Sequence, residues 1–524
     1  MSEKTDGTQR GPSRQAGFEV LVTAQEAYPK LEALFLDAQH RVDMGFRLFD
    51  PRTRLLSRRA REVGETWADL FQHTLNRGVP IDLTLSDFDP VMAFDLHSQA
   101  WHFVAQTTAL NELTHRGAAT ITVRCILHPA RGGIVPRMMF AIKTRQALSK
   151  TIARLNDDPN GLDRLRFAPG LHDLIRVREG RIKMRPTALP RLHPVSLHHK
   201  MAIFDRSATY IGGLDLNERR VDDAGHDLPA QDTWHDTQLV STDPALARDA
   251  CTFLTRLPDV INRKGQPPET SSAFRMTLSR RRARTSFRLA PENVKDTLLQ
   301  EHLKQIAAAR ELIYLETQYF RDRRIVAALV AAGKRKPDLR VIALVPAAPE
   351  EVAFTDEVSL DARFGEHLQA RGLGHIRKQF GDRFLVVSPV QPRRPDKRDT
   401  RAARATLAGA PIVYVHSKVS IFDDHAAIVS SANLNGRSMK WDAEGGVVVT
   451  EGAQVHALSD KVSFHWLGEA PESGLAARFE QWKQRALSNE ALPPEARKGF
   501  IVPHALEPSR SIGTALPGAP EEMV

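Results

Sequence analysis

Cysteine is almost missing from this 524-residue sequence, which has only Cys125 and Cys251. Two thiols cannot frame a small disulfide-stapled fold or a cysteine-based zinc site, and they fit a reducing compartment. Long apolar runs are also missing: no stretch approaches the roughly 18 uninterrupted residues that a spanning helix needs. The opening MSEKTDGTQRGPSRQAG lacks the apolar segment of a secretory signal and reads as a disordered leader over 1–17. These absences predict a cytoplasmic protein, with a peripheral place on a membrane surface left open. Acidic residues are in deficit, 63 Asp and Glu against 73 Lys and Arg, for a net charge of +10. Such a balance favours anionic partners, whether nucleic acid, acidic lipid headgroups or phosphorylated substrates.

The apolar fraction of 42% and charged fraction of 26% describe a globular chain too long for one ordinary core. Two lobes are expected, at 18–270 and 291–490. A basic linker at 271–290, holding SRRRARTSFR, would join them, and a Pro-rich tail would occupy 491–524. VDMGFRLFD (42–50) reads as a strand, followed by a helix through Trp67, Leu70, Phe71 and Leu75 that Gly78 ends, then by the alternating IDLTLSDFD. LIYLETQYF (312–320), RRIVAALVAAGKR and LRVIALVP repeat that order. Strand, helix, strand with short connections predicts an α/β fold with mixed, largely parallel sheets.

A second repeat carries chemistry. SLHHKMAIFDRSATYIGGLDLNERR (196–220) returns as YVHSKVSIFDDHAAIVSSANLNGRS (414–438). At one constant offset His198 matches His416, Lys200 matches Lys418, Asp205 matches Asp423, Gly213 matches Ser431, Asp215 matches Asn433, Asn217 matches Asn435 and Arg219 matches Arg437. A gap-free self-match of this kind signals duplicated architecture, and it singles out His198 over His199, because the second copy keeps only the His-x-Lys spacing. In a strand, residues two apart share a face, so His198 and Lys200 would point together and His199 away. Asp205 and Asp423 fall where the chain would turn, and type I turn chemistry alone would select Asp there; a direct role in catalysis stays open.

Two His/Lys pairs, one per lobe, imply one site between the lobes. A phosphodiester needs a nucleophile on one side of phosphorus, a proton donor for the departing oxygen on the other, and positive charge around the non-bridging oxygens. A nucleophilic imidazole also needs an acceptor on its other nitrogen. Asp236 in TWHDTQLV and Glu444 in WDAEGGVVV follow the two units, with Asp442 competing for the second role. No His/Cys/carboxylate group with ligand spacing is evident, so no metal and no cofactor is expected.

The twice-occurring His-x-Lys-x-x-x-x-Asp, with IGGLDLN and VSSANLNGRS downstream, resembles the phospholipase D superfamily. IYLETQYF (313–320) and the WHD at 234–236 are similar to segments of its phosphatidylcholine-cleaving members, with departures at Leu315 and Thr317. The resemblance implies two similar lobes about a pseudo-twofold axis and a monomer that cleaves phospholipid headgroups through a phosphohistidine without metal. It implies His198 as nucleophile and His416 as general acid and later base. Lys200 and Lys418 would bind the phosphoryl oxygens, with Asn433 and either Asn217 or Asn435; Gln318 and Tyr319 would meet the substrate. Transphosphatidylation can accompany that hydrolysis; a cardiolipin synthase-like transfer, a nuclease and a non-catalytic anion-binding module are the alternatives.

Overall fold

The computed structural model describes residues 17–284, 287–355, 358–400, 402 and 404–524. The expected leader lies outside the described residues except for Gly17. The first part of the chain supplies β1 (Phe18–Val22), β2 (Val42–Phe46), β3 (Ile81–Ser86), β4 (Ile121–Ile126), a separate hairpin of β5 (Ile175–Arg178) and β6 (Arg181–Met184), β7 (Met201–Phe204), β8 (Ala208–Gly212) and β9 (Thr237–Ser241). The second supplies β10 (Phe274–Arg280), β11 (Glu292–Asp296), β12 (Leu312–Glu316), β13 (Arg340–Leu344) and β14 (Phe384–Pro389). The small hairpin β15 (Thr406–Leu407) and β16 (Ala410–Pro411) follows, then β17 (Val419–Phe422), β18 (Ala426–Ser430), β19 (Glu444–Val449) and β20 (Ile501–Pro503).

Two sheets form, in the orders β1-β9-β8-β7-β2-β3-β4 and β11-β10-β19-β18-β17-β12-β13-β14-β20. Apart from β11 and β20 at its edges, the second sheet repeats the first strand for strand. The sheets are mixed α/β, as expected, but parallel pairing is confined to β2-β3-β4 and β12-β13-β14. The other pairs in both sheets are antiparallel, so "largely parallel" is corrected. The reason is local: the two His-x-Lys units lead into the hairpins β7-β8 and β17-β18, whose loops are too short for a crossover helix. The turns are not type I either. Asp205 and Asp423 have φ of 52° and 47°, the left-handed geometry that matches the twist of a tight hairpin.

Alternation divides the core into three layers. Met201, Ile203, Ile211 and Leu239 of the first sheet share a buried cluster with Met276, Tyr314, Val419, Ile421 and Val429 of the second. The intervening residues Ala202, Phe204, Tyr210 and Val240 face a separate cluster with Phe35, Trp67 and Phe71, and Ile313, Leu315, Phe422 and Ile428 face another with Leu329 and Phe380. The sheets therefore pack through their inner faces and carry helices outside. The helix Pro244–Ile261 adds Phe253 and Leu257 to the shared core, and Gly452–Leu467 adds Val462 and Trp466.

β10 lies inside the stretch expected to be linker and pairs with β19, because its buried side chains Phe274, Met276 and Leu278 complete the inner layer. β20 lies inside the expected tail and pairs with β14, burying Ile501 and Val502.

Candidate active site

The two His-x-Lys units sit just ahead of β7 and β17 rather than within them, where short parallel bridges tie the halves together. Leu197 bridges Ala443, and His235 bridges Val415. The His198 and His199 amides both donate to the Ala443 carbonyl, and the His416 amide donates to the His235 carbonyl. This cross-tie moves each acceptor beside the other lobe's histidine. His198 Nδ1 lies 3.1 Å from both oxygens of Glu444, and His416 Nδ1 lies 2.7 Å from Asp236 Oδ2. The carboxylate following each unit thus serves the opposite unit. Asp442 does not compete, since it accepts from Arg437 Nε at 2.9 Å and from the Ser196 amide at 2.8 Å.

The imidazole centroids of His198 and His416 are 6.4 Å apart on a single cavity of about 270 Å³. Four arginines line it, Arg47, Arg220, Arg321 and Arg437, with Gln318, Tyr319, Asn433 and Asn435, while Glu350, Glu351 and Asp361 line it as well. Arg220 stacks 3.4 Å over the Trp234 ring and Arg321 lies 4.2 Å over Tyr319, contacts that hold both guanidinia in place. Asn433 donates to Gln318 Oε1 at 3.3 Å, and its own Oδ1 is buried without a partner. Asn435 instead caps the short helix Gly436–Lys440.

Lys200 and Lys418 are buried behind the histidines. Lys200 Nζ donates to the His198 carbonyl at 2.7 Å and stands 3.6 Å from Asp215 Oδ2; Lys418 Nζ donates to the His416 carbonyl. They contribute charge to the site, but the wall itself is arginine. Asp205 and Asp423 are taken out of the site. Asp205 accepts the amides of Gln39, His40 and Arg41, and Asp423 those of Arg310, Glu311 and Leu312, so each carboxylate pins the chain entering the neighbouring strand. Asn217 does not reach the cavity wall; its backbone carbonyl accepts from the Tyr28 hydroxyl. Arg47, Arg220 and Arg321 were not singled out from sequence, because each is one arginine among many until the fold brings them together.

Burial sets the protonation of the site. It holds both histidines well below the usual imidazole range, pushes Asp236 up to about 6 and Glu444 up to about 8, and brings Lys418 down to about 7. With Nδ1–H on Glu444, a neutral His198 keeps a lone pair on Nε2 for attack, whereas His416 serves as an acid only while its Nε2 is protonated, as an imidazolium facing Asp236. Glu316 is a third buried carboxylate, accepting from Trp466 Nε1 at 3.0 Å, His235 Nε2 at 3.1 Å, the Tyr314 hydroxyl and the Ser417 hydroxyl. It braces the residue next to His416 and the residue before Asp236.

The family described as "Cardiolipin synthase, PLD-like domain" matches residues 302–466. The chain is 25% identical over 192 residues to human phospholipase D1 and 27% identical over 215 residues to phospholipase D alpha 2 of Brassica oleracea var. capitata. Each match covers 32% of this chain and only 17% and 26%, respectively, of those longer proteins. In fold it is similar to phosphatidylserine synthase of Haemophilus influenzae, with a TM-score of 0.50 at 13% identity over 91% of this chain and 95% of that one. None of the helices described is long and apolar enough to cross a membrane. With a duplicated sheet and two histidines on one cavity, the chain is similar to the phospholipase D superfamily, whose PLD-like domain matches its residues 302–466.

Proposed function

We propose that the protein cleaves phospholipid headgroups of the phosphatidylcholine type, releasing phosphatidic acid, and passes the phosphatidyl group to an alcohol when one replaces water. The observation that supports it is the pair of histidines 6.4 Å apart, each with its own carboxyl partner, on one arginine-lined cavity. His198 Nε2 attacks phosphorus, forming the N–P bond as the P–O bond to the headgroup breaks. His416 enters the step as an imidazolium with Nδ1–H on the ionised Asp236, and its Nε2 delivers a proton to the departing oxygen, leaving the neutral ring. The same nitrogen then takes a proton from water, whose oxygen attacks phosphorus and breaks the N–P bond. Arg47, Arg220, Arg321 and Arg437, with both lysines behind them, supply the positive charge that developing phosphoryl oxygens need, so no metal takes part in these steps.

A wall bearing both arginines and the acids Glu350, Glu351 and Asp361 suits a zwitterionic headgroup, the phosphate on one side and the ammonium on the other. The lipid is met at a surface. Ile134, Met138, Met139 and Ile142 are 61–74% exposed within nine residues, among Arg131, Arg137 and Lys143, and the Gly133 amide joins them to the backbone of Arg288 beside the 81% exposed Phe287. Apolar side chains ringed by cations fit the interface of an anionic membrane. Nearby Ala130 packs with Val195 and Trp441, neighbours of the cavity residues Ser196 and Asp442.

Offering phosphatidylcholine, phosphatidylglycerol and single-stranded DNA in parallel, with EDTA and ethanol present, tests the proposal. Choline release with phosphatidylethanol formation is the expected result. Products from phosphatidylglycerol alone would turn the reading to a cardiolipin synthase-like transferase, and DNA cleavage alone would turn it to a nuclease.

A further inference from the structure

Outside the catalytic cavity, two imidazole nitrogens face each other: His226 Nε2 lies 3.1 Å from His465 Nε2. His235 completes the group, its ring 5.6 Å from that of His226 and 4.6 Å from that of His465. One ligand nitrogen from each of the three falls within 4.8 Å of the others. Carboxylates hold the outward nitrogens of two of them. His226 Nδ1 is 2.7 Å from Asp222 Oδ2, and His235 Nε2 is 3.1 Å from Glu316 Oε1. A proton on each carboxylate-bound nitrogen leaves a lone pair on His226 Nε2 and on His235 Nδ1. That second atom is buried in a residue 1% exposed and has no hydrogen-bond partner. An orphaned buried acceptor is rare and calls for an explanation.

Imidazoles backed by carboxylates and converging their other nitrogens are the arrangement of metal-binding histidines, in which the outer partner fixes tautomer and orientation. We propose that His226, His235 and His465 ligate one divalent transition-metal ion, zinc by preference. Tetrahedral Zn–N bonds of about 2.0–2.1 Å put ligand nitrogens about 3.4 Å apart, close to the facing pair. Water fills the fourth position, entering past His465, the least buried of the three. Trp466, its ring 4.1 Å from that of His235, and Phe500, 5.3 Å from His226, give the ion an apolar surround.

The ion would have structural work. His226 and His235 belong to the first lobe, and His465 to the helix Gly452–Leu467 that follows β19. His235 directly precedes Asp236, the partner of His416. His226 and His235 stand nine residues apart and His465 lies far along the chain on that helix, so the three follow no short ligand spacing, which is why sequence alone predicts no metal.

The test is metal content, read independently of turnover so that it stands whether or not the proposed lipid chemistry does. Full-length protein from zinc-supplemented culture, purified without chelator, should carry about one zinc per chain, and Co²⁺ loaded after stripping should give the intense visible bands of a tetrahedral site. A His226→Gln/His465→Gln variant should lose both signals, whereas His416→Ala should keep them. Stripping with dipicolinate should lower the melting temperature by about 5 °C. Wild-type protein with zinc well below one equivalent and no cobalt bands would overturn the proposal, as would full cobalt bands in the double variant; the wild-type measurements decide even if that variant fails to fold.

Discussion

Asp236 and Lys418 set opposite limits on the same reaction. The buried Asp236 carboxyl titrates at about 6, and only its ionised form stabilises the imidazolium that His416 must pass through. Activity should therefore rise as pH climbs through about 6. Lys418, brought down to about 7, loses its cation above that value, and activity should fall there. A bell-shaped profile of kcat/KM follows, with its maximum between these limits. Asp236→Asn should remove the acid limb and cost at least about 10²-fold, and Lys418→Arg should carry the alkaline limb upward. A flat profile between about pH 5 and 9 would contradict this assignment.

At the scale of elements, the turn after β8 packs closely against a carboxylate of the site. A Cβ on Gly213 would lie 2.2 Å from Asp236 Oδ1, so only glycine lets that carboxylate reach His416. The matching position after β18 is Ser431, whose hydroxyl donates to Glu444 instead. Gly213→Ala should displace Asp236 and reduce kcat by about 10²-fold with the fold intact by circular dichroism, while Ser431→Ala loses the hydroxyl's bonds to Glu444 and to the Gly445 backbone and should cost about tenfold or less. Gly213→Ala turnover within threefold of wild type would refute the argument.

The same elements show what the sequence made legible. The repeat exposed His198 and His416, and the strands after Asp236 and Glu444 marked both carboxyls, because side-chain chemistry at fixed spacing survives in one dimension. The crossed pairing did not show, since it comes from the bridges of Leu197 to Ala443 and His235 to Val415. Asp205 and Asp423 bear the motif spacing yet serve backbone amides, a distinction that needs the turn geometry. Parallel pairing was overestimated because strand–helix–strand patterns are conspicuous, whereas the antiparallel hairpins lie hidden in the motifs themselves.

For the whole molecule, the exposed apolar stretch at 134–142 and the catalytic cavity should act together on a membrane. A Met139→Asp/Ile142→Asp variant should sediment about tenfold less with vesicles of mixed phosphatidylcholine and phosphatidylglycerol and lose activity on them, while keeping its rate on a soluble short-chain lipid. Unchanged sedimentation would remove this surface from the account.

The central claim is that two lobes share one site in which His198 forms the covalent bond and His416 moves the proton. Loading the His416→Ala protein with a p-nitrophenyl phosphodiester, whose leaving group needs no acid, followed by acid quench and peptide mass spectrometry, tests it most directly. The account predicts phosphate on residue 198 in that protein and none in His198→Ala. Phosphate on residue 416 of the His198→Ala protein would contradict it.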